Sequence, residues 1–189
     1  MPLAQAGSPV TADMVNRQYT LADANNTTAS GTALSALCTA YTIPASDAAA
    51  FTCYRLTTWG TAAWGATQRE LTLAMVLAGT VIGTEPKIAA TAFAASAAIN
   101  WKLVLTLMCV STGTSGTWSA ELSGWFMQTA NNALPGTAAD NTVPVVGVTG
   151  TDVTQDTTAA NSLVIQALWT GGTGPTITAT NTMFERLAV

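Results

Sequence analysis

Apolar and polar side chains alternate along most of this chain with a period of two, the pattern of strands that bury one face. The clearest instance lies late in the sequence. Leu163, Ile165, Ala167 and Trp169 share one face of a first segment. In Thr176–Leu187, Thr176, Thr178, Thr180 and Thr182 alternate with Ile177, Ala179, Asn181 and Met183. Between them, Thr170-Gly171-Gly172-Thr173-Gly174-Pro175 reads as the turn of a final hairpin. A segment still apolar at Met183, Phe184 and Leu187 must be tied into a sheet or against a partner, so the pattern predicts a central strand.

Similar signals recur upstream. Residues 1–16, with Pro2, Gly7 and Pro9 and few large apolar side chains, read as an extended arm, and residues 17–189 as one domain. Arg17–Ala24 is predicted to be a first strand and Asn25–Gly31 a polar turn. Ala33–Ile43 alternates until Pro44 stops it. Phe51–Trp59 places Thr52, Tyr54, Leu56 and Thr58 on one face and Phe51, Cys53, Arg55 and Thr57 on the other. Gly60–Gln68 reads as a small-residue loop carrying Trp64. Arg69–Ala78 groups Leu71, Leu73, Met75 and Leu77, and Gly79-Thr80 turns the chain into Val81-Ile82-Gly83.

Alanine-rich Lys87–Ala98 is expected to be strand or irregular, because a β-rich context overrides helix propensity over so short a window. Ile99–Val110 is a buried strand. Thr117–Thr129 is its expected partner, with Trp118, Ala120, Leu122, Gly124 and Phe126 facing one way. A loop over 130–142 and a short edge strand, Val143–Val148, follow. Roughly nine strands with little helix predict an all-β, antiparallel two-sheet β-sandwich. Cys38 and Cys53 stand too close together for the cysteine spacing of an immunoglobulin domain, so a jelly roll is the expected version.

Composition adds a reason to look for partners. Of 189 residues only 8% are charged, against about 25% in ordinary proteins, while 49% are hydrophobic. Part of such a surface is expected to be covered by copies of itself or by a larger assembly. The formal charge is −4 and the basic residues Arg17, Arg55, Arg69, Lys87, Lys102 and Arg186 are scattered, which argues against nucleic acid and anionic lipid. The most apolar run, Ile99–Val110, is too short to span a bilayer. Met1-Pro2-Leu3-Ala4-Gln5 lacks the features of a secretory signal, so synthesis and use without membrane export are expected. Cys38, Cys53 and Cys109 cannot complete a disulfide framework and read as buried thiols, with a Cys38–Cys53 bridge as the alternative.

Several chemistries are missing. There is no histidine, which removes imidazole bases, His-assisted nucleophiles and His-containing zinc sites together. Gly171-Gly172-Thr173-Gly174 runs into Pro175 and a strand, so it cannot aim helix amides at a phosphate. Asp140, Asp152 and Asp156 match no calcium-loop spacing and read as turn caps. Glu70, Glu121 and Glu185 read as ion-pair partners for Arg69, Lys102 or Arg186. A carboxylate-only glycosidase is the residual enzymatic reading. Neither catalysis, nor a metal, nor a cofactor is expected.

Six tryptophans remain. Trp101, Trp118 and Trp169 fall on strands and read as core or subunit-interface residues, whereas Trp59 and Trp64 flank a loop and read as an exposed contact able to stack on sugar rings. Plugging one end of the sandwich is their alternative role.

Four stretches carry a family resemblance. They are Thr42-Ile43-Pro44-Ala45-Ser46-Asp47-Ala48 with Tyr54-Arg55-Leu56; Leu77-Ala78-Gly79-Thr80-Val81-Ile82-Gly83; Leu134-Pro135-Gly136-Thr137 after the Trp118 strand; and Thr176-Ile177-Thr178 with Phe184-Glu185-Arg186-Leu187. Together they resemble the jelly-roll virion proteins of tailed bacteriophages, especially actinobacterial phages. The resemblance implies a trimer-forming jelly roll, broadly like tumour-necrosis-factor and C1q heads, in a decoration, head-fibre or minor tail protein. The expectation is a capsid decoration protein, made in the host cytoplasm, bound as a homotrimer to the major capsid protein on the outer head surface. Trp169, Ile177 and Phe184 are the expected trimer interface. The alternative is a minor tail or head-fibre protein that holds host surface glycan through Trp59 and Trp64.

Overall fold

The computed structural model describes residues 20–23, 27–65, 67, 69–94, 97–128, 141–149, 152–171 and 175–187. The expected arm (1–16), most of the 130–142 loop and Asp140 lie outside them. The described residues form no helix, so none is long and apolar enough to cross a membrane. Among the described residues, fourteen strands run in chain order. They are β1 (Thr20–Asp23), β2 (Thr27–Ala29), β3 (Ser35–Ala36), β4 (Tyr41–Ile43), β5 (Cys53–Ala63), β6 (Leu71–Leu77), β7 (Thr80–Val81), β8 (Lys87–Ile88), β9 (Ala98–Ser111), β10 (Thr117–Gln128), β11 (Asn141–Val148), β12 (Val153–Thr154), β13 (Asn161–Trp169) and β14 (Thr176–Leu187).

Two antiparallel sheets build a β-sandwich. The large sheet has the order β1-β14-β5-β9-β10-β11, with β2 also paired to β14 and β12 to β10. The small sheet runs β3-β13-β6-β7, with β4 on β13 and β8 on β6. The alternation read from the sequence places the core between them. Tyr54, Leu56, Trp101, Leu103, Leu105, Trp118, Leu122 and Phe126 of the large sheet meet Leu71, Leu73, Met75, Leu77, Leu163 and Ile165 of the small one, all buried. Removing so much apolar surface from water is the main stabilising term, at about 25 cal/mol per Å2.

The final hairpin is not a hairpin. β13 belongs to the small sheet and β14 to the large one, so the chain changes sheets between Trp169 and Thr176. Both flanking segments are central strands, as the pattern requires, but they pair with β6 and β5 rather than with each other. Turn-like glycines and proline mark a reversal without saying which sheet receives the next strand.

Within β14 the alternation also slips. A β-bulge lies between Ala179 and Asn181, opposite Gly60 and Trp59. The extra residue inverts the phase, so Ile177, Ala179, Thr182 and Phe184 are buried in place of the regular series through Asn181 and Met183. Other boundaries differ locally. Ala33–Ile43 is two short strands on β13, interrupted at the buried Leu37 and Cys38. The polar stretch Asn25–Gly31 contains β2, which β14 recruits by backbone pairing. Strand β5 continues through Ala63, so Gly60–Ala63 is not loop.

Candidate binding face

The period of two that fills the core also decides what stands on the outer side of the large sheet. There the register aligns Asn181, Trp59, Lys102, Trp125 and Pro144 in one row across β14, β5, β9, β10 and β11. One flanking row holds Thr28, Thr178, Thr61, Asn100, Met127 and Thr142. On the other side come Met183, Thr57, Val104, Ser123 and Val146, then Glu185, Arg55, Thr106, Glu121 and Val148.

This face is unusually apolar for an exposed one. Trp59 is 37% exposed, Trp125 36%, Val146 67% and Val148 44%. Two cross-strand steps separate the tryptophans, about 10 Å at the usual strand spacing, with Lys102 between them in register. Trp59, Gly60, Asn100, Trp101, Lys102 and Trp125 line an open cleft of about 410 Å3.

Local backbone features hold the two indoles. Gly60 follows Trp59 and Gly124 precedes Trp125. A Cβ at Gly60 would collide with the Thr178 carbonyl oxygen, and one at Gly124 with the Lys102 carbonyl oxygen. Only glycine therefore lets the neighbouring strands close up at both places. The bulge sits beside Trp59, and the Thr180 hydroxyl donates to the Trp59 carbonyl at 3.1 Å. Beneath the cleft, Trp101 is buried and stacks on Phe126 with ring centroids 6.0 Å apart. Its indole N–H finds no acceptor among the described residues.

Charge on the face is sparse. Arg55 pairs with Glu185 at 2.7 Å, whereas Lys102 and Glu121 form no ion pair among the described residues. The expected pairings are thus redistributed, since register and not sequence proximity sets them. Glu185 holds Arg55, Glu70 approaches Lys87 at 3.5 Å, and Arg186 pairs with Asp47 at 3.0 Å.

The last of these belongs to a lock at one end of the sandwich. The Tyr54 hydroxyl donates to Asp47 at 2.8 Å, and Arg186 also donates to the Asp47 carbonyl at 3.0 Å. Burial, reinforced by the hydrogen bond to Asp47, pushes the Tyr54 phenol above its ordinary range.

The structure relocates most of the expected site residues. Trp169, Ile177 and Phe184, the expected trimer interface, each have 0% exposure and lie in the core of the single chain. Phe184 stacks between Tyr41 and Tyr54, at 5.2 and 6.0 Å. Trp169 donates to the Ala29 carbonyl at 3.4 Å. These three side chains are used up inside one subunit and have none of their surface left for another. Trp64 is likewise fully buried, edge-on to Phe93 and Trp169 at 4.9 Å and bonded to the Ala90 carbonyl at 3.0 Å. It plugs the sandwich and is not an exposed contact. Trp59 alone of the five named residues stands outside.

Asp156 accepts from the Thr158 hydroxyl at 2.6 Å and the Thr158 N–H at 2.8 Å, which together hold its carboxyl below the ordinary carboxylate range. It caps a turn. No group of residues able to hold a metal occurs among the described residues. Cys38 and Cys109 are buried and Cys53 is half-buried, and burial raises the Cys109 thiol.

Sequence reasoning missed Trp125, Lys102 and Asn100. A signal for Trp125 existed: the alternation that sends Leu122 and Phe126 inward sends Trp125 out. Comparison of the chain with family models, with curated proteins and with solved structures returned no match.

Proposed function

We propose that the protein is a non-enzymatic structural component of a phage particle and works by adhesion. In this reading it is a capsid decoration protein that docks on the major capsid protein through the outer face of the large sheet. The observation that carries the proposal is the exposed apolar band of Trp59, Trp125, Val146 and Val148 on one sheet face, in a chain with only 8% charged residues. Large aromatics beside aliphatics, with few charges at the centre, are what protein interfaces bury.

Strand order supports the jelly-roll part of the reading. β13 returns beside β6 while β14 returns beside β5, so successive segments alternate between sheets, with β10 and β11 added at one edge. Trimerisation remains part of the proposal, but through surfaces other than Trp169, Ile177 and Phe184. The β11 edge is blunted against strand addition at two places. Pro144 has no N–H to offer, and the outward groups of Val148 are held by Thr84, N–H to hydroxyl at 2.9 Å and N–H to carbonyl at 3.0 Å. The face, not the edge, is left for docking.

Co-sedimentation with shells assembled from the phage's capsid protein tests this. Wild type is expected to pellet with the shells and a Val146→Asp variant to stay in the supernatant. Equal pelleting of the two overturns the docking surface.

A second reading, a minor tail or head-fibre protein holding host surface glycan, is favoured by the cleft between Trp59 and Trp125. The two readings compete for one face.

A further inference from the structure

We infer that the cleft between Trp59 and Trp125 is a subsite for an acidic sugar, a hexuronate or another carboxylated pyranose, with Lys102 as the carboxylate's partner. This rests on the glycan reading of the face. The size is right: about 410 Å3 falls within the roughly 300–1,000 Å3 of small-ligand sites. So is the shape, since the cleft is open and flanked by two exposed indoles. An indole face carries partial negative charge and is apolar, which suits the weakly positive C–H face of a pyranose.

Polarity completes the match. Thr61, Thr178 and Thr28 stand in the row next to the tryptophans and Asn100 lines the cleft itself. Hydroxyl and amide groups both donate and accept, as sugar hydroxyls require.

Lys102 decides for an acidic sugar over a neutral one. It is exposed and forms no ion pair among the described residues, and its neighbours on the face are Trp59, Trp125, Asn100 and Val104, none of them a carboxylate. A cation at the centre of an apolar patch with no internal partner is a place for an external anion. The chain's net charge of −4 and its scattered basic residues argue against a polyphosphate track, and a single lysine between two indoles fits one anionic group carried on a ring.

The test uses intrinsic tryptophan fluorescence on the intact chain at low salt, with trigalacturonate, a glucuronate trisaccharide and a mannuronate trisaccharide as probes. At least one acidic trisaccharide is expected to give a saturable change. Its methyl ester should bind about two- to fivefold more weakly, the scale of one exposed charge pair. Lys102→Gln should erase that difference, and Trp125→Ala should weaken both forms at least tenfold while still melting cooperatively.

No response to any of the three acidic probes overturns the inference. So does equal binding of acid and ester, or a tetraglutamate peptide that binds as tightly as the sugar. Failure here is separable from failure of the glycan reading, because host envelopes that still retain wild type but not Trp59→Ala would keep the face while removing the acidic sugar.

Discussion

The two sides of the large sheet, compared along adjacent residues of the same strands, show how one pattern produces both a sealed core and an exposed apolar face. Inside, Gly60, Trp101 and Phe126 lie in register, with Trp101 and Phe126 stacked and sealed from water. Outside, one residue away on each strand, Trp59, Lys102 and Trp125 form the matching row, and both indoles remain more than a third exposed. The inner row contributes more stability by burial than the outer row, whose indoles keep more than a third of their surface in water. Large aromatics that leave this much surface in water are the residues to examine for binding.

That contrast can be broken by substitution, and the largest effects belong inside. Trp169→Ala removes a buried indole together with its bond to Ala29 and its edge contact with Trp64, and should cost about 3–5 kcal/mol in urea unfolding. Phe184→Asp should go further and abolish cooperative unfolding, because it buries a charge between Tyr41 and Tyr54. A soluble, folded Phe184→Asp subunit would return that residue to an interface.

Gly60→Val comes next. Its side chain would press on the Thr178 backbone, with an expected loss of about 1–3 kcal/mol and altered tryptophan fluorescence from the adjacent Trp59. An unchanged midpoint would mean that β14 and β5 do not close up as described.

The end lock gives a smaller, pH-dependent effect. Tyr54 has its folded-state pKa raised, so the stability it contributes is fully present below its unfolded value near pH 10 and is lost as pH rises above that. Urea midpoints between pH 8 and 11 should therefore fall more steeply for wild type than for Tyr54→Phe. Parallel curves would contradict the assignment.

The smallest stability effects belong to the outer row. Trp59→Ala and Trp125→Ala should each cost only about 1 kcal/mol of unfolding free energy while removing binding. A destabilisation comparable to that of Trp169→Ala would place these indoles in the core's service and undo the contrast.

The sequence discloses the inner side far better than the outer one. Leu163, Ile165, Ala167 and Trp169, and likewise Trp118, Leu122 and Phe126, fall on the buried face as alternation requires, because a slip of one residue would turn every apolar side chain outward. Alternation is silent about which strands become neighbours. Trp59, Lys102 and Trp125 are far apart in sequence and meet only through the register of three strands. The bulge at Thr180 is equally hidden, since Ile177–Met183 alternates without a break and only the pairing with Gly60 and Trp59 shows the extra residue. Trp59 and Trp64 look alike beside an apparent loop. The continuation of β5 through Ala63 separates them, leaving one on the outer face and the other plugged into the core.

The central claim is that this molecule works by adhesion through the outer face of its large sheet. The most direct measurement is retention of a Trp59→Ala, Trp125→Ala, Val146→Asp triple variant, checked to be folded by a cooperative unfolding transition, on phage shells and on host envelopes in parallel. The account predicts that wild type is retained on at least one of these surfaces and that the triple variant is retained on neither. Undiminished retention of the folded variant on the surface that holds wild type would contradict it.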